Sequence, residues 1–454
     1  MPKTNATHTD NPHEELSRRE NLAAAPSPPL SNFIRSYFTP AGKEAAWNLG
    51  GLIAGTVVSQ VCGFVVILLL TRALDSRQFG IYAVAINLYA YMVLFANFGM
   101  EPIVVRELHR RPGRCDQITT AYLSISLAAG LFVAAITLMG SFVAETAADE
   151  AFVLVCLALA IITTCGRMTP FFDALHRQSL TGLMSAIVDL FWLGTIIWLD
   201  VMGTLGLYAV GVVLLARLAV SNLFPLAVYH FRHQRVRIRF DTSEVLTILG
   251  SARHLLVMQL AATIPLSAGV FLVRFFHGEA AAGVMGLAMF AAQAFLHLVA
   301  MAIRIVYPYI TGPYGVELQF RRKLWAFVSC YILLLCAVTV IGLAVVVRWV
   351  LGPAYSAVLP LGICLIIGSV PLGFAWLMIQ LLVAQSRGRA VSTAQVVAAT
   401  VFLVVAVPGT WHASYTGVAV AFCSSSIAML VISWALCFSR LNQGTTLDTI
   451  PRDP

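Results

Sequence analysis

The chain has 454 residues, 59% hydrophobic and 11% charged, with a formal net charge of +8 and a mean hydropathy of +0.84. A water-soluble globule carries roughly 25% charged residues, so this composition excludes one and defines an integral membrane protein. No period-two alternation of the β-barrel kind runs through it; what recurs are stretches of about 20 apolar residues, the length a helix needs to cross a bilayer.

Residues 1–46 are polar and rich in Pro, Ser and Ala, without the apolar core of a signal peptide, and read as an uncleaved cytoplasmic tail. Within them "SNFIRSYF" offers Phe33, Ile34, Tyr37 and Phe38 to the headgroup layer, and Pro40 keeps the segment short. Twelve spans follow. The first six lie at approximately 47–70, 80–104, 118–142, 151–171, 179–199 and 205–228. The second six lie at approximately 251–275, 283–309, 324–348, 358–384, 391–408 and 415–438.

The basic residues fall on alternate loops, which explains the positive charge without nucleic acid. Arg106, Arg110, Arg111 and Arg114 share one loop; Arg232, Arg235, Arg237 and Arg239 the next; then Arg321, Arg322 and Lys323; then Arg387 and Arg389. The opposite loops near 143–150, 200–204, 276–282 and 409–414 carry none, so the positive-inside rule places both termini in the cytoplasm. "TRALDSRQFG", between the first two spans, is the exception, with Arg72 and Arg77 on the external side. Arg72 is long enough to snorkel to the headgroups; contact with cargo at a cavity mouth is the other reading. The nine cysteines form no CxxC pair and sit mostly inside spans, so neither a metal site nor a disulfide is expected, and no cofactor.

Two echoes point to a duplication. "TRALDSRQFGIYAVA" after the first span is repeated weakly as "VRFFHGEAAAGVMGLA" after the seventh, aligning Arg72 with Arg274 and Gly80 with Gly283. "ALHRQ" and "AQSRG" align Ala174 with Ala384 and Arg177 with Arg387. The expected organisation is a tail (1–46), an N-lobe of six helices (47–229), a basic linker (230–250), a C-lobe of six helices (251–439) and a second cytoplasmic tail (440–454).

"LLTRALDSRQFGIYAVA…FANFGMEPIVVREL" resembles the opening helices of the polysaccharide (Wzx-like) flippases, in the superfamily that also holds multidrug-and-toxin extrusion proteins and the lipid II flippase. "VLGPAYSAVLPLGICLIIGSVPLGF", with Gly352 and Tyr355, resembles the same family's ninth-to-tenth span junction. The resemblance implies an all-α membrane protein whose two six-helix lobes rock about a central cavity. It implies a bacterial inner membrane location and export of an undecaprenyl-pyrophosphate-linked oligosaccharide for O-antigen, capsule or exopolysaccharide, coupled to H⁺ or Na⁺. Membrane lipids, a glycan polymerase and glycosyltransferases of one pathway are the partners that go with it.

Polar residues inside the spans mark candidate sites, because lipid cannot hydrogen-bond them. Gln293, His297 and Arg304 fall on one narrow stripe of the eighth span, and Gln259, Thr263, Ser267 and Arg274 on one face of the seventh. Asn87, Tyr91, Asn97 and Glu101 share a sector of the second span; Asn48, Thr56, Ser59 and Gln60 share one of the first. These four helices line the cavity in the family the chain resembles. The Asn, Thr and Ser members read as interhelical glue. Arg274 and Arg304, with no carboxylate evident nearby, are expected to hold the cargo's pyrophosphate, with His297 and Gln293 beside them, since guanidinium forks match phosphate oxygens. Asp189 and Arg217, near the middles of the fifth and sixth spans, form either a structural ion pair or a coupling-ion site. Two rivals stand: a multidrug or cation antiporter of the same fold, which would want more intramembrane carboxylates, and a polytopic polymerase or ligase, which would want a large external loop.

Overall fold

The computed structural model describes residues 40–143, 147–232, 239–311, 318–352, 355–384 and 387–438, with side chains at 40–46, 49, 304–311, 318–324, 384 and 438 excepted. The headgroup segment "SNFIRSYF", the C-terminal tail and Arg235 and Arg237 of the linker lie outside the described residues, as does the side chain of Arg304. The chain divides into two compact units, Met1–Trp47 and Asn48–Pro454. In the first, the described backbone is helical from Pro40.

The described residues are predominantly helical, with no strand among them. In chain order the helices are α1 (Pro40–Ala73), α2 (Ser76–Asn97), α3 (Glu101–Arg110), α4 (Cys115–Val143), α5 (Ala148–Ile162), α6 (Thr169–Ala174), α7 (Gln178–Val201) and α8 (Leu207–Arg232). Then come α9 (Thr242–Thr311), α10 (Leu318–Val346), α11 (Val358–Ala384), α12 (Gly388–Ala413) and α13 (Tyr415–Phe438). Eleven helical stretches among the described residues are long and apolar enough to cross a membrane. Each of the twelve predicted spans overlaps one of them, with ends differing by a few residues, and two fall in one stretch.

That double occupancy is the main departure from expectation. The loop expected over 276–282 shrinks to a single residue, Gly278, whose φ of 83° and ψ of −176° interrupt the 70-residue α9. A side chain there would be strained, because Cβ clashes with the backbone in that region; glycine lets the seventh span pass into the eighth without a loop. Pro225, Pro371 and Pro408, by contrast, sit inside α8, α11 and α12 with the helix continuing through them.

Outward-facing side chains fit a lipid solvent. Phe132, Phe191, Phe275 and Val201 are exposed, as are Trp349 and Trp411 near helix ends, where indole rings suit the interface. Inside, small residues set the packing. Gly51 and Gly55 of "GLIAG" lie on Ser179 and Gly182 of α7, where a Cβ on Gly51 would come within 2.6 Å of the serine Cβ. The motif thus joins two helices of one chain.

On the face of the basic loops, Glu244 at the start of α9 is 1% exposed. It accepts hydrogen bonds from Arg111 at 2.6 Å and Arg114 at 2.9 Å. Arg111 also binds Glu107 at 2.8 Å, so the α3–α4 turn is clamped to the linker's end. Asp241 starts this helix: the hydroxyl and amide of Ser243 donate to its carboxylate at 2.7 and 2.9 Å, holding its carboxyl below the usual range. Because the folded value is depressed, the contact stabilises the helix start at neutral pH and is lost as pH falls through that value.

Candidate functional site

The opening hairpin folds as its sequence dictates. Asp75 caps α2, accepting a hydrogen bond from the Gln78 amide at 2.7 Å. Arg72 is exposed, while Phe79 and Gly80 are buried. Gly80 lies against the backbone of Glu279, just past the break in α9, and Gly283 packs back on it: a Cβ on Gly283 would stand 3.1 Å from the Gly80 nitrogen. The two glycines aligned by the sequence echo therefore touch. One turn on, Gly286 faces Ala83, and Phe79 meets Tyr355 edge-on at 6.2 Å.

Charges bind the same seam. Arg77 Nε donates to Glu279 Oε2 at 2.7 Å; Glu279 Oε1 lies 3.9 Å from Arg274 Nη2; and Arg274 Nη2 also bonds Glu150 at the start of α5. Four alternating charges thus join α2, α9 and α5 on the face opposite the basic loops. The expectation that Arg274 lacks a nearby carboxylate is corrected: it has two. Glu150 is 124 residues away in sequence, so no local spacing announced it. Below this network lies a cavity of about 390 Å³, walled mainly by apolar residues of α2, α4, α5 and α9 such as Ile81, Leu88, Ile136 and Phe271, with Glu150 and Arg274 as its charged lining.

The other predicted site residues are placed elsewhere. Gln293 and His297 are 15 and 19 residues beyond Gly278 on the returning half of α9, about 20 and 30 Å along the helix at 1.5 Å per residue. Gln293 Nε2 donates to the Leu266 carbonyl at 3.1 Å, tying the two halves of α9 together. His297 is exposed, its Nδ1 within 2.7 Å of the Gln293 carbonyl oxygen. Arg274 is therefore not clustered with Gln293 and His297 in this conformation.

The polar stripes divide between bonds within their own helix, as at Asn87 and Thr263, where the expected interhelical glue is not what the side chain supplies, and contacts between helices, as at Asn48, Tyr91 and Glu101. Asn87 donates to the Ala83 carbonyl at 2.8 Å, Thr263 to Gln259 at 2.8 Å, and Ser179 to Asn48 at 2.9 Å. Tyr91 lies on Phe271 with ring centroids 5.9 Å apart. Glu101 pairs with Arg167 at 3.3 Å. Asp189 and Arg217 do meet, with Nε to Oδ1 at 2.8 Å and the guanidinium 4.1 Å over the Trp192 ring. A further polar link went unforeseen: Asn222 of α8 donates to Thr163 at 3.0 Å and Tyr89 at 3.3 Å.

Fold and site together define a multi-pass α-helical membrane protein whose seam is built on the pairing of α2 with α9. The chain belongs to the polysaccharide biosynthesis protein family, whose model matches residues 46–312. No curated protein matches the sequence significantly. Its fold is that of the MOP-superfamily transporters. The lipid II flippase MurJ, in an inward closed conformation, superposes with a TM-score of 0.63 at 11% identity, over 87% of this chain and 93% of that one. An outward-facing multidrug resistance MATE transporter gives 0.57 at 12% identity, over 88% and 96%. A MOP-superfamily transporter from Pyrococcus furiosus, described as having a binding pocket of reversed polarity, gives 0.50 at 13% identity, over 88% and 96%.

Proposed function

We propose that the protein flips an undecaprenyl-pyrophosphate-linked oligosaccharide from the inner to the outer leaflet of the bacterial inner membrane, for polysaccharide export. In this reading two six-helix lobes alternate access to a cavity between them, driven by an H⁺ or Na⁺ gradient. The observation that carries it is the Arg77–Glu279–Arg274–Glu150 network beside an apolar cavity, in a member of the polysaccharide biosynthesis family. A half-buried guanidinium already held by carboxylates can exchange them for a pyrophosphate, whose oxygens accept the same paired hydrogen bonds. Binding of the cargo would then loosen the contacts that close this face, which links recognition to opening. The contact between Gly80 and Gly283 supports the two-lobe organisation, since equivalent residues of a duplicated fold meet at its pseudo-symmetry axis.

The cation-antiporter reading is less well supported. Asp189, Glu101 and Glu150 are each paired with an arginine, so a cationic drug would have to displace a guanidinium to reach any of them. Lipid-pyrophosphate binding to purified protein separates the readings. Arg274→Gln is expected to weaken undecaprenyl pyrophosphate binding at least about tenfold, the loss of one charge-assisted contact. Glu150→Gln, which removes the nearer of its two carboxylates, is expected to leave that binding equal or tighter. Equal binding by wild type and Arg274→Gln would remove Arg274 from the cargo site.

A further inference from the structure

A second cavity, of about 500 Å³, opens on the face of the basic loops, remote from the α2–α9 seam. Its walls come from the end of α3, the start of α4, α6 and the end of α8. Phe171 and Tyr229 form its floor, their rings 5.5 Å apart. Leu108, Pro112 and Leu175 supply an apolar rim, and Leu175 is 46% exposed. His109 and Arg177 also line it, and the His176 ring stands 5.7 Å from that of His109. His176 has a φ of 55°, unusual for a side-chain-bearing residue, so the turn that presents Arg177 is held in a costly shape.

The charges on this face are unevenly spent. Arg106 and Arg111 bind Glu107, Arg111 and Arg114 bind Glu244, and Arg239 lies 3.9 Å from Asp116. Arg177 has no carboxylate within ion-pair distance among the described residues. Arg177 is exposed and lines a largely apolar cavity together with Tyr229, near the end of α8. Exposed apolar side chains beside an uncompensated guanidinium and an imidazole are complementary to one kind of molecule: an anion carrying hydrocarbon.

We propose that this cavity binds the phosphodiester headgroup of an anionic phospholipid of the adjacent leaflet. Arg177 holds the phosphate, beside a wall formed by His109, whose Nδ1 donates to the Val105 carbonyl oxygen at 2.8 Å, and Leu108, Pro112 and Leu175 cover the first carbons of the acyl chains. The site is separate from the cargo seam, and its lipid is a resident ligand of the N-terminal half.

Thermal unfolding of the full-length protein in detergent tests this, with phosphatidylglycerol, phosphatidylcholine or inorganic phosphate added. Phosphatidylglycerol is expected to raise the wild-type melting temperature by several degrees, and phosphatidylcholine and inorganic phosphate to leave it unchanged. Arg177→Gln is expected to need at least about tenfold more phosphatidylglycerol for the same shift, since one charge-assisted contact is lost, and Arg177→Lys to recover part of it. Arg389→Gln, at an exposed position in the first turn of α12, is expected to respond as wild type. If Arg177→Gln fails to fold, Arg177→Lys read by native mass spectrometry gives the same comparison. The proposal is overturned if phosphatidylcholine or inorganic phosphate matches phosphatidylglycerol, or if neither Arg177 variant differs from wild type.

Discussion

Gly80→Val is expected to be the most damaging single substitution in the seam, lowering stability by upwards of about 3 kcal/mol, the high end for overpacking. A Cβ at this position would stand 1.9 Å from the carbonyl oxygen of Glu279, and the atoms it meets are backbone, which cannot rotate away. The only relief is for α2 to move off α9, which also pulls Arg77 from Glu279 and Phe79 from Tyr355. Gly63→Ala is the matched control. A Cβ on Gly63 meets nothing within 4 Å, so alanine should be neutral or favourable by roughly 0.5–1 kcal/mol through helix propensity. Melting of the two variants in one detergent checks this; equal midpoints would mean that the α2–α9 contact is not tight.

The second large effect is expected at Asp189→Asn. The carboxylate is 9% exposed and its partner Arg217 26%, so the substitution leaves a guanidinium facing Trp192 without its counter-charge. Removing one member of a buried pair costs about 3–5 kcal/mol, and the partial exposure of Arg217 places this one near the lower figure. The double substitution Asp189→Asn with Arg217→Gln is expected to regain most of the loss, because no bare charge remains. That recovery is the mark of a structural pair. The coupling-ion reading instead predicts that transport by an Asp189→Asn protein stops responding to an imposed H⁺ or Na⁺ gradient; unchanged gradient dependence assigns the pair to architecture.

Most of the architecture was legible because a membrane imposes a length scale. Runs of about 20 apolar residues mark helices, and each predicted span overlaps an observed helical stretch; the breaks at 98–100 and 163–168, inside two predicted spans, carry no hydropathy signal. What the pattern could not supply was a loop that is one residue long: "FFHGEAAAG" reads as a turn by composition, yet only Gly278 leaves helical geometry. The echo aligning Gly80 with Gly283 was visible, but their contact was not, since hydropathy carries no information on which helices meet.

The site was less legible for the same reason. Helical projection puts Gln293 and His297 on one stripe but is blind to depth relative to Arg274 on the other half of α9. Ion pairing between residues 124 and 202 positions apart has no periodic signature, so the Glu150 and Glu279 ends of the network emerged only in three dimensions. Asp189 and Arg217 were found because adjacent antiparallel spans put their midpoints level, a short-range inference.

The most direct test is a leaflet-accessibility assay in proteoliposomes containing the full-length protein and an undecaprenyl-pyrophosphate-linked oligosaccharide. With a gradient imposed, the account predicts protein-dependent appearance of the labelled glycan on the opposite leaflet, competed by undecaprenyl pyrophosphate and reduced by Arg274→Gln. Gradient-driven efflux of a cationic dye from the same vesicles, with the labelled glycan staying in its original leaflet, would contradict it.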